Sequence, residues 1–358
     1  VITNPNLRTE SHSVGSKRDP VAFTDSYYQQ VIETYGYDEF ELDRFDFSLS
    51  GMSAGELNLR WLCHHRADRF LDADQSARIV TTGFGMSGIP HLGTIAQIVA
   101  ITRIQQGGER TQIVLGDLDA HNGKGRPLAA ARELAEQFAG FCHRLGYDST
   151  AGVLRNQFDD IDSLRNLYLL GHYADDADFA AAEEDNHRYY ADLGIVDDRM
   201  TYRRRMSLAL MASDFLTLGQ SAEAVLVMLG VDEHKYVRFA TDIAERLNEN
   251  TSLRGTFILS AMYSRLTSGF NGHPKMSKSI PGSSLDVAST ADEIRGRISA
   301  DDVRAAAQSP SLQLISQLFT RSAEDCVRLS HECAQATQAW TDAKAELTDY
   351  LISITALW

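Results

Sequence analysis

The residues of this chain best suited to chemistry on a phosphate are a histidine at a strand-to-helix junction and two lysines far downstream. His91 opens His91-Leu92-Gly93-Thr94, after a run that reads as a strand, Ala77-Arg78-Ile79-Val80-Thr81-Thr82, and the turn Gly83-Phe84-Gly85-Met86-Ser87-Gly88. Ile95, Ile98, Val99 and Thr102 continue as an apolar helix. Such a junction turns free N–H groups and the positive end of the helix dipole towards an anion. Glycine lets the backbone approach without a Cβ in the way. Taken alone, His91 reads rather as a satisfied histidine at a helix start.

The lysines stand in Lys275-Met276-Ser277-Lys278-Ser279, flanked by Gly269, Gly272 and Gly282. A loop hinged at glycines can close over a reacting phosphate, where its ammonium groups neutralise charge that develops in the transition state. Alone, the segment also reads as a solvated Lys/Ser loop.

Three competing readings carry less. The turn at 83–88 fits G-x-G-x-x-G, the fingerprint of nicotinamide and flavin enzymes. That fingerprint needs the helix to start within the glycines and an acid to end the next strand. Pro90 and His91 sit where that helix would already run, and Glu109 precedes the next strand. Asp117-Leu118-Asp119 has the spacing of a metal-dependent sugar-nucleotide transferase, but it also reads as a capped polar turn or as a partner for a substrate ammonium. Cys63-His64-His65 reads as amphipathic helix surface rather than a metal site.

The elements that must position these groups alternate. Residues 77–82, 111–116 and 224–228 read as buried strands, and the helix at about 91–106 between the first two makes a βαβ unit and a parallel sheet. Pro127 opens and Gly146 closes a further helix, and 206–215 and 236–247 read as helices. Residues 1–20 read as a loose arm, 24–75 as helical segments, and 160–195 as a charged, solvated helical insertion. From Asp292 the pattern is helical throughout. The division expected is an arm and helical extension over 1–75, a nucleotide-binding domain over 76–282 with an insertion at about 150–205, and a helical domain over 283–358.

At 358 residues with 43% hydrophobic content the chain can bury a substantial core. Its net charge is −15, and residues 280–358 hold 11 acidic against 6 basic residues, so any nucleic-acid contact needs a local basic patch. Tyr202-Arg203-Arg204-Arg205 is the one basic cluster. No run approaches the roughly 18 apolar residues of a membrane span, and no signal peptide opens the chain. Four scattered cysteines without CxxC spacing predict reduced thiols in the cytoplasm. Val1 in place of an initiator predicts a missing or processed N-terminus. Neither a membrane nor DNA is an expected partner.

In this order and context the two phosphate-facing segments resemble the class I aminoacyl-tRNA synthetases. The lysine segment matches the family's second signature at all five positions. Thr94 departs from the usual final His of the first, a position that commonly varies in the tryptophan and tyrosine branch. Leu210-Met211-Ala212-Ser213-Asp214-Phe215-Leu216, the turn Gly230-Val231-Asp232-Glu233 and the helix from Tyr236 to Arg246 resemble that branch too, over about residues 77–300. The resemblance implies an α/β fold: a doubly wound, Rossmann-like parallel sheet of the HUP type with a helical C-terminal domain. It also implies ATP-dependent activation of an amino acid, assisted by Mg²⁺, transfer to tRNA, and a homodimer.

The roles implied follow the motifs. His91, Lys275 and Lys278 are catalytic, and no resident metal site is expected. Gly83, Gly85, Ser87, Gly93, Thr94, Gly230, Asp232, Met276, Ser277 and Ser279 hold ATP, with Gly93 leaving room for adenine. Asp214 reads an indole N–H, Met211 packs against it, and Asp117, Asp119 and Glu233 complete the amino-acid pocket. Ser207 and Met211 replace the Tyr and Gln of tyrosine enzymes, so tryptophan is the better expectation. Glu233 and Asp119 are unusual at their positions and, with the acidic C-terminal part, keep open a paralogue that delivers the amino acid to a small molecule or protein. A catalytically dead binding protein is disfavoured because both phosphate-gripping segments are whole.

Overall fold

The computed structural model describes residues 23–40, 48–182, 185–194, 200–250, 256–277, 280–303, 305, 308–319 and 322–358. The loose arm expected over 1–20 lies outside them, as do Lys278 and Ser279.

Seven strands form one sheet: β1 (Asp38–Glu39), β2 (Cys63–His65), β3 (Arg78–Gly85), β4 (Thr111–Gly116), β5 (Gly152–Asn156), β6 (Ala224–Gly230) and β7 (Ile258–Ser264), in the order β1-β2-β7-β6-β3-β4-β5. β7, β6, β3, β4 and β5 are parallel, whereas β2 runs antiparallel to β7 and β1 antiparallel to β2. Chain order proceeds from β3 outward to β5 and then returns to β6 on the other side of β3. That reversal defines a doubly wound sheet with its switch point between β3 and β6.

Helices cover both faces, so the central strands are buried on both sides, and β6 is apolar throughout rather than alternating with polar residues. Leu226 and Met228 face one core with Ile95, Ile98, Phe138 and Phe141, while Val225, Val227 and Leu229 face the other with Leu216, Val237 and Ile243. The C-terminal helices Ala291–Ser299, Pro310–Leu318, Ala323–Gln335 and Gln338–Thr355 join the first core through Ile294, Leu314, Ile315, Leu329 and Leu347. Arg60 and Arg103 donate to the last carbonyls of Pro310–Leu318, at 2.8 Å from Gln317 O and 2.6 Å from Leu318 O. Cations there satisfy orphan acceptors and oppose the helix dipole.

Several expectations need correction. Residues 24–75 are not helical throughout, because β1 and β2 lie among the short helices. Cys63-His64-His65 is strand, not amphipathic helix surface: it pairs with Tyr263, Met262 and Ala261, and Cys63 is fully buried. The residues at 160–195 are more than a solvated insertion, since Ser163, Leu170, His187 and Tyr189 are buried. β5 and β7 are additional to the strands expected. All four cysteines are buried thiols. Among the described residues no helix is long and apolar enough to cross a membrane.

Candidate active site

A cleft of about 720 Å³ opens at the carboxyl ends of β3 and β6. Its cause is visible in the pairing: β3 and β6 are bonded only as far as Thr81 and Val227, although they run on to Gly85 and Gly230. Beyond that point Met228 has no register partner on β3. Thr82 Oγ1 and Gln97 Nε2 donate to its carbonyl oxygen instead, at 2.8 and 2.9 Å. Side chains thus satisfy the backbone where the strands part, and the parting creates the crevice.

His91 is the N-cap of the helix Leu92–Gln106, and its Nδ1 accepts from Thr94 N–H at 3.3 Å. A neutral ring that accepts at Nδ1 carries its proton on Nε2, which makes Nε2 the donor. The capped histidine and the ligand-facing histidine are therefore compatible readings of one residue. Gly93 answers to this ring: a Cβ there would lie 3.0 Å from His91 Cε1. The missing side chain makes room for the imidazole, which the expectation of space for adenine alone did not include.

On the opposite lip, a Cβ on Gly230 would lie 2.5 Å from Asp232 Oδ1, so only glycine lets that carboxylate fold back into the cleft. Lys275 Nζ is 3.2 Å from Asp232 Oδ2, with both side chains under a tenth exposed (6% and 8%). Met276 N–H donates to Thr267 O at 2.9 Å, and Ser277 N–H to Ser283 Oγ at 3.1 Å. Gly269 is required beneath them, because a Cβ would meet Lys275 O at 2.6 Å. The chain leaving the lysine segment then pairs with the first segment. Leu92 N–H donates to Leu285 O at 3.0 Å and Val287 N–H to Pro90 O at 3.1 Å.

The inner end is lined by Val114, Asp119, Gln157, Met211, Asp214 and Phe215. Asp214 lies on the helix Tyr202–Leu218, and each of its oxygens has a donor: Arg155 Nη2 at 2.9 Å on Oδ1 and Gln157 Nε2 at 2.7 Å on Oδ2. Burial pushes the Asp214 carboxyl up from its ordinary range, opposed by the Arg155 charge and the Gln157 hydrogen bond. Asp119 is raised for the same reason, with Lys124 opposing.

Asp117 corrects an expectation. It is fully buried, and its Oδ1 accepts from the N–H groups of Leu118, Gln157 and Phe158 at 2.8, 3.0 and 3.1 Å. It fastens the ends of β4 and β5 together and does not line the cleft, so of the pair only Asp119 stands where a substrate ammonium could reach.

Gly83, Gly85, Ser87, His91, Gly93, Thr94, Gly230, Asp232, Glu233, Lys275, Met276 and Ser277 all border the same cleft. So do Lys124, Arg203 and Arg204, a basic rim on an acidic protein. His187 and Tyr190 border it as well and were missed in the sequence, where they sit in a charged stretch without a motif. Among the described residues no group of three or more His, Cys, Asp or Glu is positioned to hold a metal ion.

A mostly parallel sheet split at its switch point, with a helix-capping histidine on one lip and a buried aspartate–lysine pair on the other, defines an α/β nucleotide-binding cleft. The profile described as tRNA synthetases class I (W and Y) matches residues 73–300, and the chain belongs to that family. Tryptophan–tRNA ligase 1 of Halobacterium salinarum is 25% identical over 215 residues, covering 59% of this chain and 40% of that protein. The chain thus spans less than half the length of that curated relative. Among solved structures, the tryptophanyl-tRNA synthetase of Aeropyrum pernix K1 superposes with a TM-score of 0.72 at 17% identity, over 93% of each chain. A tyrosyl-tRNA synthetase of Archaeoglobus fulgidus complexed with L-tyrosine superposes with a TM-score of 0.66 at 16% identity, over 84% of this chain and 96% of that one.

Proposed function

We propose that this chain activates an amino acid with ATP, forming an aminoacyl adenylate and pyrophosphate, and passes the acyl group to tRNA. One observation carries the reading: His91, Asp232 and Lys275 border a single cleft at the sheet's switch point. The substrate carboxylate attacks the α-phosphorus while the bond to pyrophosphate breaks, so no side-chain nucleophile is needed. His91 Nε2 donates to a phosphate oxygen, and Lys275 and Lys278 neutralise charge on the reacting and leaving groups. Asp232 accepts from the ribose, with Ser277 and Ser279 supporting the loop. Mg²⁺ enters on the triphosphate as part of the substrate.

Tryptophan is the amino acid this reading favours. Asp214 holds two donors already, yet each carboxylate oxygen has a second lone pair for an indole N–H, and Met211 and Phe215 supply apolar walls. Asp119 takes the α-ammonium, and Glu233 adds charge near the ribose. The expected result is tryptophan-dependent exchange of pyrophosphate into ATP, measured over a panel of amino acids with and without tRNA. Exchange that ignores every amino acid would remove the proposal.

A second reading, delivery to a small molecule or protein, rests on the 11 acidic against 6 basic residues of 280–358, a poor surface for a polyanion. Exchange without charging of bulk tRNA would favour it. The homodimer is supported by exposed Val153, Phe158, Ile161 and Leu169 along and beside the open edge of β5. Light scattering is expected to give twice the chain mass, and a monomer at micromolar concentration would exclude it.

A further inference from the structure

Lys275 is caged as well as paired. Besides Asp232, its ammonium faces the rings of Tyr190, Phe23 and Tyr189, with centroids 5.0, 5.2 and 5.7 Å away. Two of these rings come from the helix Asp185–Asp192, and the third stands just before Thr24, the N-cap of the helix Asp25–Tyr35. The Tyr190 hydroxyl also lies 2.6 Å from Ser277 Oγ, so the same side chain holds the loop two residues further on. Aromatic faces attract a desolvated ammonium, and a carboxylate beside them completes a site specific for a cation. The chain has filled this site with its own lysine.

We propose that the helix Asp185–Asp192 is a latch and Tyr190 a positioning residue: together they dock Lys275 on Asp232 in the nucleotide-free protein, and ATP must displace it. The inference rests on the adenylation reading, which gives Asp232 to the nucleotide. A docked lysine and a ribose hydroxyl compete for one carboxylate. Stabilising the docked state therefore lowers the competent fraction and weakens apparent ATP affinity in proportion. Loss of the hydroxyl contact alone is worth about fivefold, the factor that one ordinary hydrogen bond represents.

Two variants test this, Tyr190→Phe, which keeps the ring, and Tyr190→Leu, which removes ring and hydroxyl. ATP binding without amino acid is measured by calorimetry, and acetylation of Lys275 by acetic anhydride is followed by mass spectrometry. Thermal melting confirms that each variant is folded. The expected results are about fivefold tighter ATP binding for Tyr190→Phe, tighter still for Tyr190→Leu, and faster Lys275 acetylation in both. Acetylation at the wild-type rate in both variants overturns the latch. Faster acetylation with unchanged or weaker ATP binding overturns the competition. Wild-type protein that binds no ATP, with acetylation still accelerated in the variants, removes the nucleotide reading and leaves the latch in place.

Discussion

Lys275→Met is expected to lower pyrophosphate exchange by about 10²-fold, the usual loss when one transition-state charge stabiliser is removed. The same change leaves Asp232 buried without its cation, so a stability loss of about 3–5 kcal/mol in urea denaturation is expected with it. The two effects separate in the double variant Lys275→Met, Asp232→Asn. Neutralising the carboxylate should recover much of the stability, while exchange stays low because no ammonium reaches the phosphates. Exchange at the wild-type rate in Lys275→Met would take the lysine out of the mechanism. Recovery of exchange in the double variant would mean that the single substitution acted only through the fold.

The second large effect belongs to Arg155. Its guanidinium pairs with Asp214 at 2.9 Å and with Asp160 at 2.9 Å, the latter an ion pair without hydrogen-bond alignment. Asp214 is 4% exposed at its side chain, so Arg155→Met strands a buried carboxylate at a cost of about 3–5 kcal/mol. The pH dependence has a definite sign. Burial already raises the Asp214 carboxyl and Arg155 lowers it, so removing Arg155 raises it further. A group raised in the folded state binds its proton more readily there than in the unfolded chain. The associated stability is present below the ordinary aspartate value near 4 and is lost as pH rises from there through the folded value. Arg155→Met should therefore lie closer to wild type at pH 5 than at pH 8. An equal gap at both pH values would show that Asp214 does not titrate with the loss of its partner.

What could be read in the sequence followed from how local each feature is. β4 and β6 are short apolar runs bounded by turn residues, and the helix after His91 has its own period, so the βαβ unit was legible. β2 was not: its three residues sit between two short helices and become a strand by pairing with β1 on one side and with β7, some two hundred residues away, on the other. β7 does carry a local signal, the run from Phe257 to Tyr263, apolar but for Ser260. At the site, glycines 93, 230 and 269 stood out by type, but the ring, the carboxylate and the backbone carbonyl that require them could not be named. Asp117 and Asp119 are indistinguishable two residues apart. They separate only because the turn after β5 brings two N–H groups onto the first. Tyr189 and Tyr190 lie in a stretch whose charge suggested solvent, and nothing local connects them to Lys275.

The lysine segment is pinned at both ends. Met276 N–H is bonded to Thr267 O on one side, and residues 285–287 are stitched to residues 90–92 on the other. The strap between those two points ties the lip that carries Lys275 to the lip that carries His91, so its span sets how far apart the two can stand. Each added residue would lengthen the extended contour by about 3.5 Å, more than the width of a hydrogen bond. The number of residues in the strap, and not only their identity, is thus part of how this protein measures distance to its ligand.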